Sequence, residues 1–368
     1  MSSTADPITH GCAQCGKQAT LKCKGCMNTP DGKTIDGVIV IRYCGIECQK
    51  SNWSTHQPVC KTAQLRKKIY RAGSLAREAC LTFNRITYSC PVDRIEKLGN
   101  TWKIYAPEDY KDQCQLMPFP PDCVTSPEEE NALLSFGHCT AALCYQHHLF
   151  KDLLRSYCSA IEETSFKVKN RSLRLLFVFA DGFVDHTDYY HTILKVTVKN
   201  GEQYALDVAG AQNGWHESVV PWEIYANTRV QCTAWTLQFG QTQDQLHAKL
   251  FWDGDLHSYC DQVLVKFAKK LRSAADDFQK RQVAFKALLN LPEGEYEAKC
   301  AVLIDGICHA LEAFKVYGEK RGLFQIKVAK NKGRGTNDPK PKSASTMRGE
   351  KTPDVGMIFG AQAIRLPS

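Results

Sequence analysis

Cys12-x2-Cys15-x7-Cys23-x2-Cys26-x17-Cys44-x3-Cys48-x7-His56-x3-Cys60 is the stretch on which the reading of this chain turns. Its seven thiols and one imidazole make two complete tetrahedral zinc sets, because a structural zinc takes four sulfur or nitrogen ligands. Gly16 and Gly25, beside the two Cys-x2-Cys pairs, supply backbone freedom for both sulfurs of a pair to face one metal. Cys44 with Cys48, and His56 with Cys60, are spaced i,i+4, which predicts each pair on one face of a helix. So short a segment cannot bury a useful core, so metal binding must supply much of its folding free energy. With four protein ligands each, neither zinc keeps a corner open for water, which disfavours zinc catalysis.

The order of these ligands, with Tyr43-Cys44, Cys48-Gln49, Trp53, His56 and Cys60, resembles the MYND-type zinc finger over residues 12–60. The resemblance implies interleaved sites: Cys12, Cys15, Cys44 and Cys48 on one zinc, Cys23, Cys26, His56 and Cys60 on the other. Spacing alone equally permits a sequential pairing. It also implies binding of protein partners through short, often proline-rich, segments. The connection from Met27 to Tyr43 is longer than usual for the family, with Pro30-Asp31-Gly32 as a turn and Val38–Ile41 as an apolar strand. An Asn-His-Ser-Cys motif, which would point to the lysine methyltransferases that carry such fingers, is absent from the sequence.

The full chain of 368 residues leaves room for a larger domain beyond the finger, and its 43% hydrophobic content is ordinary for a globular protein. Of 18 cysteines, the 11 outside the finger are dispersed without a compact disulfide framework. Together with the zinc thiolates this points to a reducing compartment, cytoplasm or nucleus. Met1–His10 lacks a secretory pattern, and the best apolar stretch, Leu173–Ala180, is too short to cross a bilayer. The net charge of +8 is uneven: between Gln325 and Asp354 eight basic residues face three acidic ones. That tail, poor in apolar residues, is expected to be disordered, and nucleic-acid contact through it ranks last among the functional readings. It has no interleaved aromatic residues of the kind a single-strand binder uses.

After the finger, Thr62 to about Phe83 favours helix, with Leu65, Ile69, Leu75 and Ala79 as its buried stripe, continuing the helix of His56 and Cys60. Trp102–Tyr105 reads as a short strand. Ser126-Pro127-Glu128-Glu129 is a helix start with Ser126 as cap. Leu173–Ala180 reads as a central strand, and His191–Lys199 with Gln203–Val208 as a hairpin around Asn200-Gly201. From Leu246 the pattern returns to helix, broken at Pro292-Glu293-Gly294.

Within the middle region Cys139, His191 and Asp207 stand in a suggestive order. A nucleophilic thiol needs a base to take its proton and a carboxylate to orient that base. The Gly137-x-Cys139 helix start and the His191…Asp207 hairpin resemble the transglutaminase and arylamine acetyltransferase branch of papain-like folds over residues 126–215. That resemblance implies Cys139 as nucleophile, His191 as base and Asp207 as orienting acid. The stretch offers no clear oxyanion donor, and no tryptophan follows His191. Hairpin register decides whether the group can form. A two-residue turn at Asn200-Gly201 puts Leu194 opposite Asp207, so His191 and Asp207 face opposite sides. A three-residue loop puts Ile193 there, making His191 and Asp207 diagonal neighbours on one face. The sequence permits both. His147 and His148 read as helix surface.

The expectation is an α+β protein: a small two-zinc finger, then a mixed α+β domain with a C-terminal helical part. Its segments are a flexible terminus over 1–11, the finger over 12–60, a helical connector and loop over 61–125, an α+β domain over 126–240, a helical region over 241–324 and a basic tail over 325–368. The leading function is protein–protein interaction through the finger. The alternative is a cysteine-dependent acyl-transfer or hydrolytic enzyme.

Overall fold

In the computed structural model, residues 11–324 are described apart from 36, 111–115 and 253–255. The basic tail and the first ten residues, the subjects of two expectations above, lie outside the described residues.

The finger contains four two-residue strands, β1 (Leu21–Lys22), β2 (Thr29–Pro30), β3 (Val38–Ile39) and β4 (Arg42–Tyr43). β1 pairs with β4 and β2 with β3, all antiparallel. Helix α1 (Ile46–Ser51) carries Cys48, whereas Cys44 precedes it across Gly45, whose φ of −172° is extended. The i,i+4 spacing of Cys44 and Cys48 therefore spans a strand end and a helix start rather than one helical face. His56 and Cys60 do share a helix, the 34-residue α2 (Trp53–Ile86). That single helix leaves the finger and enters the main core, where Ile69, Ala72, Leu75, Ala76, Ala79 and Phe83 are buried.

β5 (Arg94–Leu98) and β6 (Thr101–Tyr105) form a hairpin, with β8 (Arg174–Val178) added parallel to β6. The expected central strand thus ends a three-stranded sheet of order β5-β6-β8. Its apolar run is needed because Phe177 packs beside Ile104, Leu133 and Ala106, not because strands flank it on both sides. Between β6 and β8 come α3 (Pro127–Ser135), α4 (Cys139–Tyr145), α5 (His147–Leu154) and β7 (Cys158–Val168). Ser126 caps α3 by accepting the Glu129 N–H at 3.3 Å, while the Glu129 carboxylate turns back to the Thr125 N–H at 2.6 Å. Gly137 ends this turn at φ +74°, a left-handed conformation that favours glycine, and α4 opens at Cys139.

The principal sheet has five antiparallel strands in the order β11-β10-β9-β7-β12, with β9 (His191–Val198), β10 (Gln203–Leu206), β11 (Val219–Pro221) and β12 (Val230–Gln238). β9 and β10 pair with Thr197 opposite Gln203 and Leu194 opposite Leu206. Their loop is Lys199-Asn200-Gly201, closed by the Val198 N–H to Glu202 O bond at 2.8 Å, with Gly201 at φ +90°. This is the three-residue alternative, and it puts His191 and Asp207 on one face. Helices cover the opposite face, where Leu194, Val196 and Leu206 join α2, α4 and α5 in the largest core. The His191 face is closed by Phe166, Ile193, Trp215 and Tyr225, the last from α6 (Trp222–Arg229). In the helical remainder, α7 (Gln241–Trp252) packs on α4, α8 (Leu256–Arg281) on α10, α9 (Phe285–Leu288) on α5 and α10 (Glu293–Lys320) on α2. There the Arg71 guanidinium donates to the Leu291 carbonyl at 2.7 Å and stacks 4.1 Å from the Tyr296 ring. Among the described residues no helix is long and apolar enough to cross a membrane.

Candidate functional site

The eight finger ligands converge as two separate groups, Cys12, Cys15, Cys44 and Cys48, and Cys23, Cys26, His56 and Cys60, each with its donor atoms within 4.8 Å of one another. A zinc about 2.3 Å from each sulfur sets tetrahedral sulfurs about 3.8 Å apart. The first group has Cys15–Cys44, Cys44–Cys48 and Cys15–Cys48 separations of 3.6, 3.4 and 3.8 Å. In the second, Cys23 and Cys60 sulfurs lie 3.9 Å apart, and Cys26 Sγ lies 3.6 Å from His56 Nε2. These separations fit two zinc ions, and the pairing is interleaved, as the family resemblance implied. Burial holds the His56 imidazole below its ordinary pKa, so it stays neutral and its nitrogen is free to ligate. Gly16 takes φ +75°, but Gly25 is needed for room: a Cβ there would sit 2.9 Å from Cys60 Sγ. Gln64 donates to that same sulfur at 3.3 Å.

A second constellation lies in the five-stranded sheet. His191 Nε2 and Asp207 Oδ2 are 2.9 Å apart, both residues buried. Asp207 also accepts the Tyr225 hydroxyl at 2.6 Å and the Ala209 N–H at 3.2 Å. Burial alone would raise this carboxyl, but the charge and hydrogen bond of His191, with Tyr225 and Arg229, hold it below its usual value. Arg229 stacks 4.8 Å from the Trp215 ring and pairs with Glu217 at 2.6 Å. The imidazole is wedged edge-on against Phe166 and Trp215, which fixes its plane.

The half-buried Cys139 thiol, at the start of α4, lies 3.9 Å from the Thr140 hydroxyl and 4.0 Å from the Tyr190 carbonyl, and the neighbouring His191 acts on it electrostatically. With Nε2 committed to Asp207, the nitrogen left for it is Nδ1. Burial opposes charge on His191, yet Asp207 and the Cys139 sulfur more than compensate, and its pKa is pushed up to about 10. Burial likewise opposes the thiolate, but His191, the Thr192 N–H and the Thr140 hydroxyl leave Cys139 below the ordinary thiol value. Both directions favour a thiolate–imidazolium pair.

Two neighbours were not legible beforehand. Gln212 lies in the short 3-10 helix Gly210–Asn213, with its Nε2 3.2 Å from His191 Nδ1. Its Oε1 accepts the Gly137 N–H at 3.0 Å. Tyr225 reaches Asp207 from α6. The turn needs a glycine at Gly210, where a Cβ would lie 2.7 Å from Asp207 Oδ2. His147 is a correction to the surface reading, being buried with its ring stacked 4.3 Å from Phe239 where β12 meets α7.

Comparison with known proteins bears on the first constellation. The model of the MYND finger family matches residues 12–60. Residues 12–60 form a MYND finger. Tudor domain-containing protein 1 of Oryzias latipes is 36% identical over 56 residues, 15% of this chain and 4% of that protein. The chain therefore matches only a small part of that curated relative. No solved structure matches.

The MYND finger, a zinc-binding protein-interaction module, is tied to the rest through its Met27–Tyr43 connection. Arg66 of α2 donates to the Asp31 carbonyl of the β2–β3 turn at 2.5 Å and to Glu202 through Nε at 3.0 Å. Glu202 sits in the β9–β10 hairpin that carries His191. The connection is thus a docked hairpin, not a free edge.

Proposed function

We propose that this protein acts chiefly as an adapter, its MYND finger docking a peptide segment of a partner protein. The observation that carries this is apolar exposure. Six of the thirteen large hydrophobics exposed among the described residues, Met27, Val38, Val40, Ile46, Trp53 and Val59, belong to the finger. So many exposed apolar side chains on one small module suit a protein contact, and the closed metal sets leave the zinc a scaffold. A proline-rich segment suits Trp53, since aromatic grooves receive extended proline helices. The test is titration of a proline-rich peptide panel against the full chain. Ile46→Glu and Trp53→Ala should weaken binding at least about tenfold while two zinc equivalents are retained. Unchanged binding by Cys44→Ser, which opens a metal set, would count against the finger as the docking element.

A second reading is favoured by the 2.9 Å His191–Asp207 contact with Cys139 at the same imidazole: cysteine-dependent acyl transfer or hydrolysis. In it Cys139 is the nucleophile, His191 the base and Asp207 the orienting acid. Iodoacetamide at pH 7 should alkylate Cys139 ahead of the other thiols, and Cys139→Ala should abolish that label. No preference for Cys139 would remove this reading and leave the adapter standing.

A further inference from the structure

We infer that Gln212 is the oxyanion donor of the Cys139 centre, and that the centre takes acyl carbonyl compounds, meaning esters, thioesters or carboxamides. This deepens the second reading above and rests on it. A thiolate attacking a carbonyl needs hydrogen-bond donors where negative charge gathers on oxygen, and of the triad side chains none is free to supply one.

The amide of Gln212 is oriented without ambiguity. A backbone N–H can only donate, so the Gly137 N–H at 3.0 Å fixes Oε1 on its side. The amino group therefore faces the other way, 3.2 Å from His191 Nδ1, on the edge of the imidazole that Cys139 addresses. While the imidazole is neutral one amide hydrogen can serve Nδ1, and once Nδ1 carries the Cys139 proton that hydrogen must leave it. The second has no protein partner among the described residues and is available to a ligand atom at Cys139. The turn is rigidly held: Ser172 and Leu173 N–H groups bond the Asn213 carbonyl at 3.0 and 3.1 Å, and Gly214 takes φ +77°. Gly137 itself lies two residues before the nucleophile, so one hydrogen bond sets the spacing between thiol and donor. Gln212 is half-buried, as a group meant to meet a substrate should be.

The step balances as follows. The Cys139 thiolate forms a C–S bond to the carbonyl carbon, and the π pair moves onto oxygen against the Gln212 N–H. The pair returns, the bond to the leaving group breaks, and the leaving group takes the proton of His191 Nδ1. The acyl group remains as a thioester on Cys139. Water or an acceptor amine, losing its proton to His191, attacks this thioester and regenerates the thiolate.

Two probes separate the donor from the nucleophile. Iodoacetamide alkylation needs the thiolate but no oxyanion donor. Acylation by p-nitrophenyl acetate needs both, and its leaving group needs no acid. Gln212→Ala and the uncharged, similarly sized Gln212→Met should slow the nitrophenolate burst about 100- to 1000-fold. Their alkylation rate and its pH profile should stay within about threefold of wild type, which also certifies that the site is folded. An equal fall in both rates would make Gln212 a positioning residue of His191, and an unchanged burst would remove it from the chemistry; either overturns the inference. If the wild-type thiol fails to alkylate preferentially, it is the second reading that fails, a distinguishable result.

Discussion

At the scale of the residue, the centre is defined by what surrounds Asp207. A buried carboxylate persists only when hydrogen-bonded and paired, and here it accepts from His191, Tyr225 and the Ala209 N–H. The ion pair makes stability depend on pH with a definite sign. The His191 pKa is raised in the fold to about 10 from 6.5, so its contribution is fully present below pH 6.5 and is lost as pH rises through about 10. Asp207 is held below its ordinary value of 3.8, so its contribution is present above that value and is lost as pH falls below it. The difference in urea midpoint between wild type and Asp207→Asn should therefore be largest between roughly pH 4 and 6.5 and shrink on both sides. A pH-independent difference would mean that the pair is not ionised in the fold. The same substitution should slow Cys139 alkylation at pH 7 at least about tenfold, since losing an adjacent opposite charge moves a pKa by about a unit or more.

Elements explain what could be read in advance and what could not. The metal ligands were legible because their spacing is chemistry: no other constraint places eight donors in four ordered pairs. The β9–β10 hairpin was legible from Asn200-Gly201, but its register was not, because both turns suit those residues and only tertiary packing of Leu194 and Leu206 inward selects one. β7 escaped notice because Glu162 and Glu163 interrupt its apolar alternation. Glu163 is buried there for a structural task, accepting the Gly240 and Thr242 N–H groups at 2.7 and 2.9 Å at the start of α7. Gln212 left no trace, since a lone glutamine in a short turn has no periodicity. Helix α2 also hides a close approach. A Cβ on Gly73 would lie 2.2 Å from Val219 Cγ2 of β11. Gly73→Ala gains helix propensity of about 1 kcal/mol, but overpacking costs about 1–3 kcal/mol. The variant should be less stable than wild type in urea, and adding Val219→Ala should recover part of the loss beyond additivity. Additive effects would mean that the helix and strand separate without strain.

For the whole molecule, α2 decides how metal loss spreads. Its first turns carry His56 and Cys60 in the finger, and its later turns carry Ile69 to Phe83 in the main core. The finger has few buried apolar residues of its own, with Ala19 and Tyr43 among its ligand cysteines and Ala63 of α2 beside them. Without zinc it lacks the term that holds it folded. The core face of α2 does not depend on metal, because it is packed by α10, the five-stranded sheet and the Arg71 contacts to α10 and the chain before it. Zinc chelation should therefore melt residues 12–60 and fray α2 as far as the start of its core stripe, leaving the rest native. Hydrogen exchange would show this as lost amide protection over 53–62 with protection kept over 69–86. The Arg66 contacts to Asp31 and Glu202 should open in the same event, since Asp31 belongs to the part that melts and Glu202 to the part that stays. Glu202→Gln should then loosen residues 29–39 even with zinc bound, but leave 53–62 protected. If chelation instead erased protection throughout 69–86, finger and core would be one cooperative unit and the metal would hold up the entire protein.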